Sequence, residues 1–286
     1  MAGSAFFRGV IRPPAVSGRF YPKDPTELRA VVATLLADAR RDLSGTPPAP
    51  VPAVIVPHAG YIYSGPTAAN VFARVAIPEL VVILAPNHTG VVEAAEGVSI
   101  WEAGAFQTPL GDVPVDADAA RALIEISHGM IDVDHDAHRG EHAIEVELPF
   151  LQLVRADARI VPLVIAWDQW EPARRLGEML ARLVRAADEP VLLLASSDMN
   201  HYEPAAVSEK KDAIALAGIR TLDGQELLAR CQRERISMCG RGPAAVVLAA
   251  ARALGARQAE VVDYRDSGWV SGDNGRVVGY AGVVIS

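Results

Sequence analysis

Short, uninterrupted runs of Val, Ile and Leu recur along this chain, at residues 51–56, 80–85, 160–166, 191–195 and 277–285, with a weaker run at 261–264. A strand with one face in water alternates apolar and polar side chains, so a continuous run indicates a strand covered on both faces. The segments between the runs carry helical patterns, at 25–40, 66–75, 116–126, 141–154, 171–187 and 242–254. Asp24 precedes Pro25 and Gly242 precedes Pro243, which places proline in a first helical turn, where its missing N–H has no partner to lose. This strand–helix rhythm predicts a single three-layer α/β domain over residues 1–286 with a mostly parallel central sheet. The proline-rich stretch at 45–52 reads as a connector, because the residues before it are too few to fold alone.

The chain is 50% hydrophobic and 22% charged over 286 residues, far from the disordered class. Its formal charge of −8 is spread along the sequence without a basic stripe, which argues against a nucleic-acid or anionic-membrane role. No apolar run is long enough to span a bilayer, and residues 1–8 lack the charged and apolar regions of a signal peptide. Cys231 and Cys239 are the only cysteines, too few for a disulfide framework, so a reducing cytoplasm is the expected location.

In open α/β sheets, ligands bind outside the carboxyl ends of the strands. The reactive side chains of this sequence fall at those ends. The first run leads into Pro57-His58-Ala59-Gly60-Tyr61, the second into Pro86-Asn87-His88, and the run at 191–195 into Ser196-Ser197-Asp198-Met199-Asn200-His201. Cys239 lies just ahead of a predicted helix, where the helix dipole and Arg241 are expected to favour its thiolate. Imidazole suits Fe, Cu or Zn, and a thiolate adds softness. A single strand-end histidine is more often a hydrogen-bonded loop residue, and a single buried cysteine usually acts as a small hydrophobe. The spacing of His58, His88 and Cys239 is not diagnostic by itself; what favours a shared site is that both histidines terminate strands of one sheet.

His138-Arg139-Gly140-Glu141-His142 fits the H-x-x-E-H pattern of inverzincin metallopeptidases. That chemistry needs both histidines on one helix face. Gly140 interrupts the motif and the helix is expected to begin near Glu141, which leaves His138 outside it.

The segments at 12–22, 57–65, 86–88, 141–150, 196–198 with His201, 238–240 and 277–281 closely resemble the Memo family, whose bacterial and archaeal members include AmmeMemoRadiSam system protein B. Ala143 stands where that family commonly has a serine after the Glu-His pair, and Glu147 where it often has another polar residue. The resemblance implies a fold similar to class III extradiol ring-cleavage dioxygenases, which hold non-haem Fe(II) with two histidines and a glutamate. It implies that His58 and His88 are metal ligands, with Cys239 in place of the glutamate. His201 then matches an acid/base histidine and His142 a second pocket histidine, while Asp198 lies close enough to orient a ligand.

A thiolate donates more charge than a carboxylate and can itself be oxidised, so ring cleavage does not carry over with the fold. The leading expectation is an Fe(II) oxygenase acting on a small, aromatic substrate, with Cu and Zn as other metals for the site. Two alternatives use the same cleft: a non-catalytic iron- or copper-handling or partner-binding protein, and a zinc-dependent hydrolase. The family name implies functional association with radical-SAM and AMMECR-type proteins.

Overall fold

The computed structural model describes residues 10–41 and 43–286; the first eight residues, read above for targeting signals, lie outside the described part. The chain runs β1 (Ile11–Arg12), α1 (Pro25–Arg41), β2 (Ala53–Val56), α2 (Tyr61–Phe72), β3 (Leu80–Pro86), β4 (Val98–Ile100), β5 (Ala105–Thr108) and β6 (Gly111–Pro114). It continues through α3 (Ala117–Ser127), β7 (Asp132–Val133), α4 (Asp136–Arg139), a 3-10 turn at Glu145–Glu147, α5 (Leu148–Val154), β8 (Arg159–Ile165) and α6 (Trp170–Ala186). The last part holds β9 (Val191–Ser196), β10 (His201–Glu203), α7 (Ala205–Arg220), α8 (Gly224–Arg233), α9 (Arg241–Ala253), β11 (Ala259–Asp266), α10 (Gly268–Ser271) and β12 (Val277–Ile285).

The large sheet has the order β10-β12-β2-β9-β3-β8-β4-β7, with β11 also paired to β12. Its centre, β2-β9-β3-β8, is parallel, as continuous apolar runs require. The margins are antiparallel: β11 turns back through α10 into β12, which then runs against β2, and β4 runs against β8. Side chains of β3 alternate between two cores. Leu80, Val82 and Leu84 join the core under α3, α6 and α9, whereas Val81, Ile83 and Ala85 join the core under α1, α2 and α5. The result is three layers, a sheet buried on both faces.

Local chemistry explains the helix ends. The Asp24 carboxylate accepts from the N–H groups of Thr26 and Glu27 at 2.9 Å, and Asp116 accepts from Ala119 N–H at 2.9 Å. Three elements differ from the sequence reading. α2 starts at Tyr61, with Pro66 inside it rather than opening it. Residues 141–154 are not one helix: Glu141 spends its carboxylate on the N–H groups of His142 and Ala143, and regular helix begins only at Leu148. α7 and α8 fill a stretch to which the sequence reading assigned no helix; Asp223 caps α8 by accepting from Glu226 N–H at 3.0 Å. No helix among the described residues is long and apolar enough to cross a membrane.

Candidate metal centre

Because β2, β9 and β3 are parallel neighbours, the loops at their carboxyl ends emerge side by side. They deliver His58, Asp198 and His88. Cys239 arrives from the loop between α8 and α9, pressed against the end of β9 by Gly240, whose N–H donates to Ser197 Oγ at 3.0 Å. A Cβ on Gly240 would collide with the Ser196 carbonyl, so this approach requires glycine. His142 comes from the loop after α4, and His201 opens β10. His58, His88, His142, Asp198, His201 and Cys239 all line one cavity of about 530 Å³.

At its floor, His58, His88 and His142 each offer a ligand atom, and these atoms all lie within 4.8 Å of one another. The rings of His88 and His142 stack with centroids 4.6 Å apart, and His58 meets His88 edge-on at 5.0 Å. Cys239 Sγ is 3.3 Å from His58 Nε2. Two of the three rings have a hydrogen-bonding protein partner at Nδ1. His58 Nδ1 is 2.8 Å from Ser196 Oγ, and His88 Nδ1 is 2.8 Å from Glu141 Oε1. At His88 the Glu141 carboxylate can only accept, so Nδ1 donates and the neutral ring keeps its Nε2 lone pair, the condition for metal ligation.

The charges follow from burial and neighbours. Burial, with His88, His142 and His201 nearby, holds the His58 pKa well below the usual imidazole range, so the ring is neutral. Burial also lowers His142, to about 4, against the opposing pull of Glu141. At His88 burial opposes the charge, but the hydrogen bond and negative charge of Glu141 outweigh it and raise the pKa. Burial pushes Asp198 up to about 7 while its carboxylate accepts from His58 N–H at 2.9 Å. Cys239 departs from the sequence expectation of a thiolate. Burial and the neighbouring Asp198 push the thiol up, and Arg241 is turned away into an ion pair with Asp168.

His201 donates from Nδ1 to the Ser237 carbonyl at 3.0 Å, and its backbone N–H donates to Ser237 Oγ at 2.8 Å. This fixes the ring with Nε2 unprotonated, and burial keeps its pKa low. His138 stands apart from the cavity. It lies in α4 with Nε2 3.2 Å from the Ser99 carbonyl and its ring against Trp101 and Phe106, so His138 and His142 do not share a helix face.

Some of the site was given no role from the sequence. The 12–22 segment closes one wall, with Phe20 packed edge-on against His142 at 4.8 Å. It is anchored by Arg12, buried in an ion pair with Glu145, and by Tyr21, whose hydroxyl donates to Glu145 at 2.5 Å. Glu141, met in the sequence in a peptidase-like pattern and in a family-like segment but given no role at the site, is the carboxylate behind His88. Ser196 and Glu147 behind His58 carried no spacing signal.

The family model described as Memo-like protein matches residues 12–284. A MEMO1 family protein of Methanopyrus kandleri is 42% identical, over 96% of this chain and 98% of its own length. Others, from Aquifex aeolicus (38%) and Sulfolobus acidocaldarius (40%), also cover 96% of this chain and nearly all of their own, 98% and 99%. The crystal structure of an uncharacterized Escherichia coli K12 protein aligns with 82% of this chain and 100% of its own at TM-score 0.49 and 14% identity, too loosely to bear on the assignment. With a family model and full-length relatives in agreement, the chain belongs to the Memo family.

Proposed function

We propose that this protein holds a transition metal, Fe(II) foremost, through His58, His88 and Cys239, and uses it as an oxygenase on a small aromatic substrate. The observation that carries this reading is the convergence of three imidazoles whose ligand atoms lie within 4.8 Å, with a sulfur 3.3 Å from one of them. Two nitrogens and a sulfur suit Fe, Cu or Zn. Bound Fe(II) supplies electron exchange with O₂, which no side chain here provides. The remaining chemistry belongs to the protein. His201, with Nε2 bare and aimed by Ser237, is placed to take a phenolic or enolic proton, and Asp198 can hold a proton near neutral pH. Phe20, Tyr202 and Tyr280 give the cavity aromatic walls, and no Lys or Arg is among the described residues that line it. A substrate with a neutral, aromatic reactive end fits such a pocket better than a carboxylate or phosphate, which needs a cationic clamp.

The three-histidine cluster favours a second ligand set, with His142 in place of Cys239. Elemental analysis of anaerobically prepared wild type, His58→Ala, Cys239→Ala and His142→Ala decides between them. Near-stoichiometric iron that is lost in the His58 and Cys239 variants and kept in the His142 variant supports the first set. Retention in Cys239→Ala with loss in His142→Ala moves the third ligand to His142. Wild type that takes up no metal after anaerobic Fe(II) addition sinks the proposal. Metal-loaded protein that consumes no O₂ with catechols or related aromatics leaves a metal-handling protein instead of an oxygenase.

A further inference from the structure

Glu147 is completely buried behind His58 and is not used by the chemistry above. Its Oε1 lies 3.0 Å from Ser196 Oγ, and its Oε2 has no hydrogen-bond partner among the described residues. Ser196 Oγ has two other close neighbours, the Ala143 carbonyl oxygen at 2.8 Å and His58 Nδ1 at 2.8 Å. A serine hydroxyl has one proton to give and two lone pairs to receive. The Ala143 carbonyl can only accept, so the hydroxyl proton belongs to it. Both remaining neighbours must then donate: His58 through Nδ1–H and Glu147 through a protonated carboxyl.

We infer that Glu147 is a neutral hydrogen-bond donor that, through Ser196, holds His58 in the Nδ1–H tautomer and keeps its Nε2 lone pair turned into the cavity. It is a positioning residue, since it reaches the site only through Ser196. The opposite assignment turns the hydroxyl toward an ionised Glu147. That leaves the Ala143 carbonyl facing a lone pair at 2.8 Å and buries a carboxylate with one oxygen unpaired. The ionisable groups facing Glu147 are Asp198 and Tyr61, neither of them a cation. Burial, reinforced by Asp198, accordingly holds the Glu147 carboxyl well above the usual range.

Glu147→Gln keeps a neutral donor of the same shape, whereas Glu147→Leu removes it. Two-bond ¹H–¹⁵N spectra of metal-free, histidine-labelled protein read the His58 tautomer directly. The expected result is a single Nδ1–H tautomer in wild type and Glu147→Gln, and a mixture in Glu147→Leu. Infrared difference spectra should show a protonated carboxyl in wild type at pH 7 that is absent in Glu147→Gln. The metal arm rests on the centre proposed above: Fe(II) affinity unchanged in Glu147→Gln and about tenfold weaker in Glu147→Leu. An ionised Glu147 at pH 7, or the same tautomer in all three proteins, overturns the inference. If Glu147→Leu fails to fold, the infrared comparison with Glu147→Gln still decides. If wild type binds no iron, the metal reading fails alone, because neither the tautomer nor the infrared measurement needs metal.

Discussion

Arginine is almost never fully buried without compensation, and Arg12 is buried completely. Its guanidinium pairs with Glu145, and its other N–H groups donate to the carbonyls of His138, at 3.1 Å, and Glu141. The same carboxylate receives the N–H groups of Ala15 at 2.7 Å and Val16 at 3.0 Å. One ion pair therefore ties the segment bearing Phe20 to the loop bearing His142. Arg12→Ala takes the only paired cation among the described residues from the buried Glu145 side chain and should cost about 3–5 kcal/mol, measured by urea unfolding. A loss below about 1 kcal/mol would mean that water reaches the carboxylate. The second single-residue prediction concerns Cys239. Its thiol is held protonated by burial and Asp198, so alkylation of the metal-free protein at pH 8 should run at least ~10-fold slower than for free cysteine. Cys231, pushed up to about 11 by burial, should also lag, and peptide mass spectrometry separates the two sites. Fast labelling at Cys239 would restore the thiolate that helix position alone suggested.

Elements were legible where one physical signal governed them. The buried parallel strands announce themselves as apolar runs, and α1 and α3 as periodic stretches capped by Asp24 and Asp116. The strand-end histidines were visible for the same reason, because strand ends could be located. Elements formed by long-range contact were not. α7 has mixed sides and buries a charged residue, Asp212, whose carboxylate accepts from Asn200 N–H and from Tyr264 O–H, each at 2.8 Å. No local pattern foretells a helix that turns a carboxylate inward to join β10 and β11. Glu141, Ser196 and Glu147 are likewise defined by partners many residues away. Burial raises Asp212 to about 6, above its ordinary value of 3.8, so the folded state holds this proton more tightly than the unfolded chain. Its contribution to stability is then fully present below about pH 4 and is lost as pH rises through about 6, an effect of about 3 kcal/mol. Urea unfolding of wild type and Asp212→Asn at intervals from pH 4 to 7 should show wild type losing ground relative to the variant across that window. A constant difference between the two would mean that the carboxyl titrates normally in the fold.

For the whole molecule, the candidate site joins parts of the chain that are far apart in sequence: the ends of β2, β3 and β9, the loops before Glu145 and α9, and the segment carrying Phe20. A ligand gripping several of these at once binds the folded chain and not the unfolded one, where no such array exists. Global stability should therefore report metal binding without any assay of activity. At free Fe(II) a hundred times its dissociation constant, the folded state gains about 2.7 kcal/mol. For a domain of this size that corresponds to a rise of roughly 4–5 °C in Tm under anaerobic conditions. Chelation should reverse the gain, and His58→Ala should abolish it; the metal-free Tm of that variant, lowered by the cavity and by the lost hydrogen bond to Ser196, is the baseline for its own shift. Cys239→Ser and His142→Ala then grade the third ligand by how much of the shift each retains. A shift of equal size in wild type and His58→Ala would place the metal elsewhere on the protein, and the converging imidazoles would be left as a pocket for an organic ligand alone.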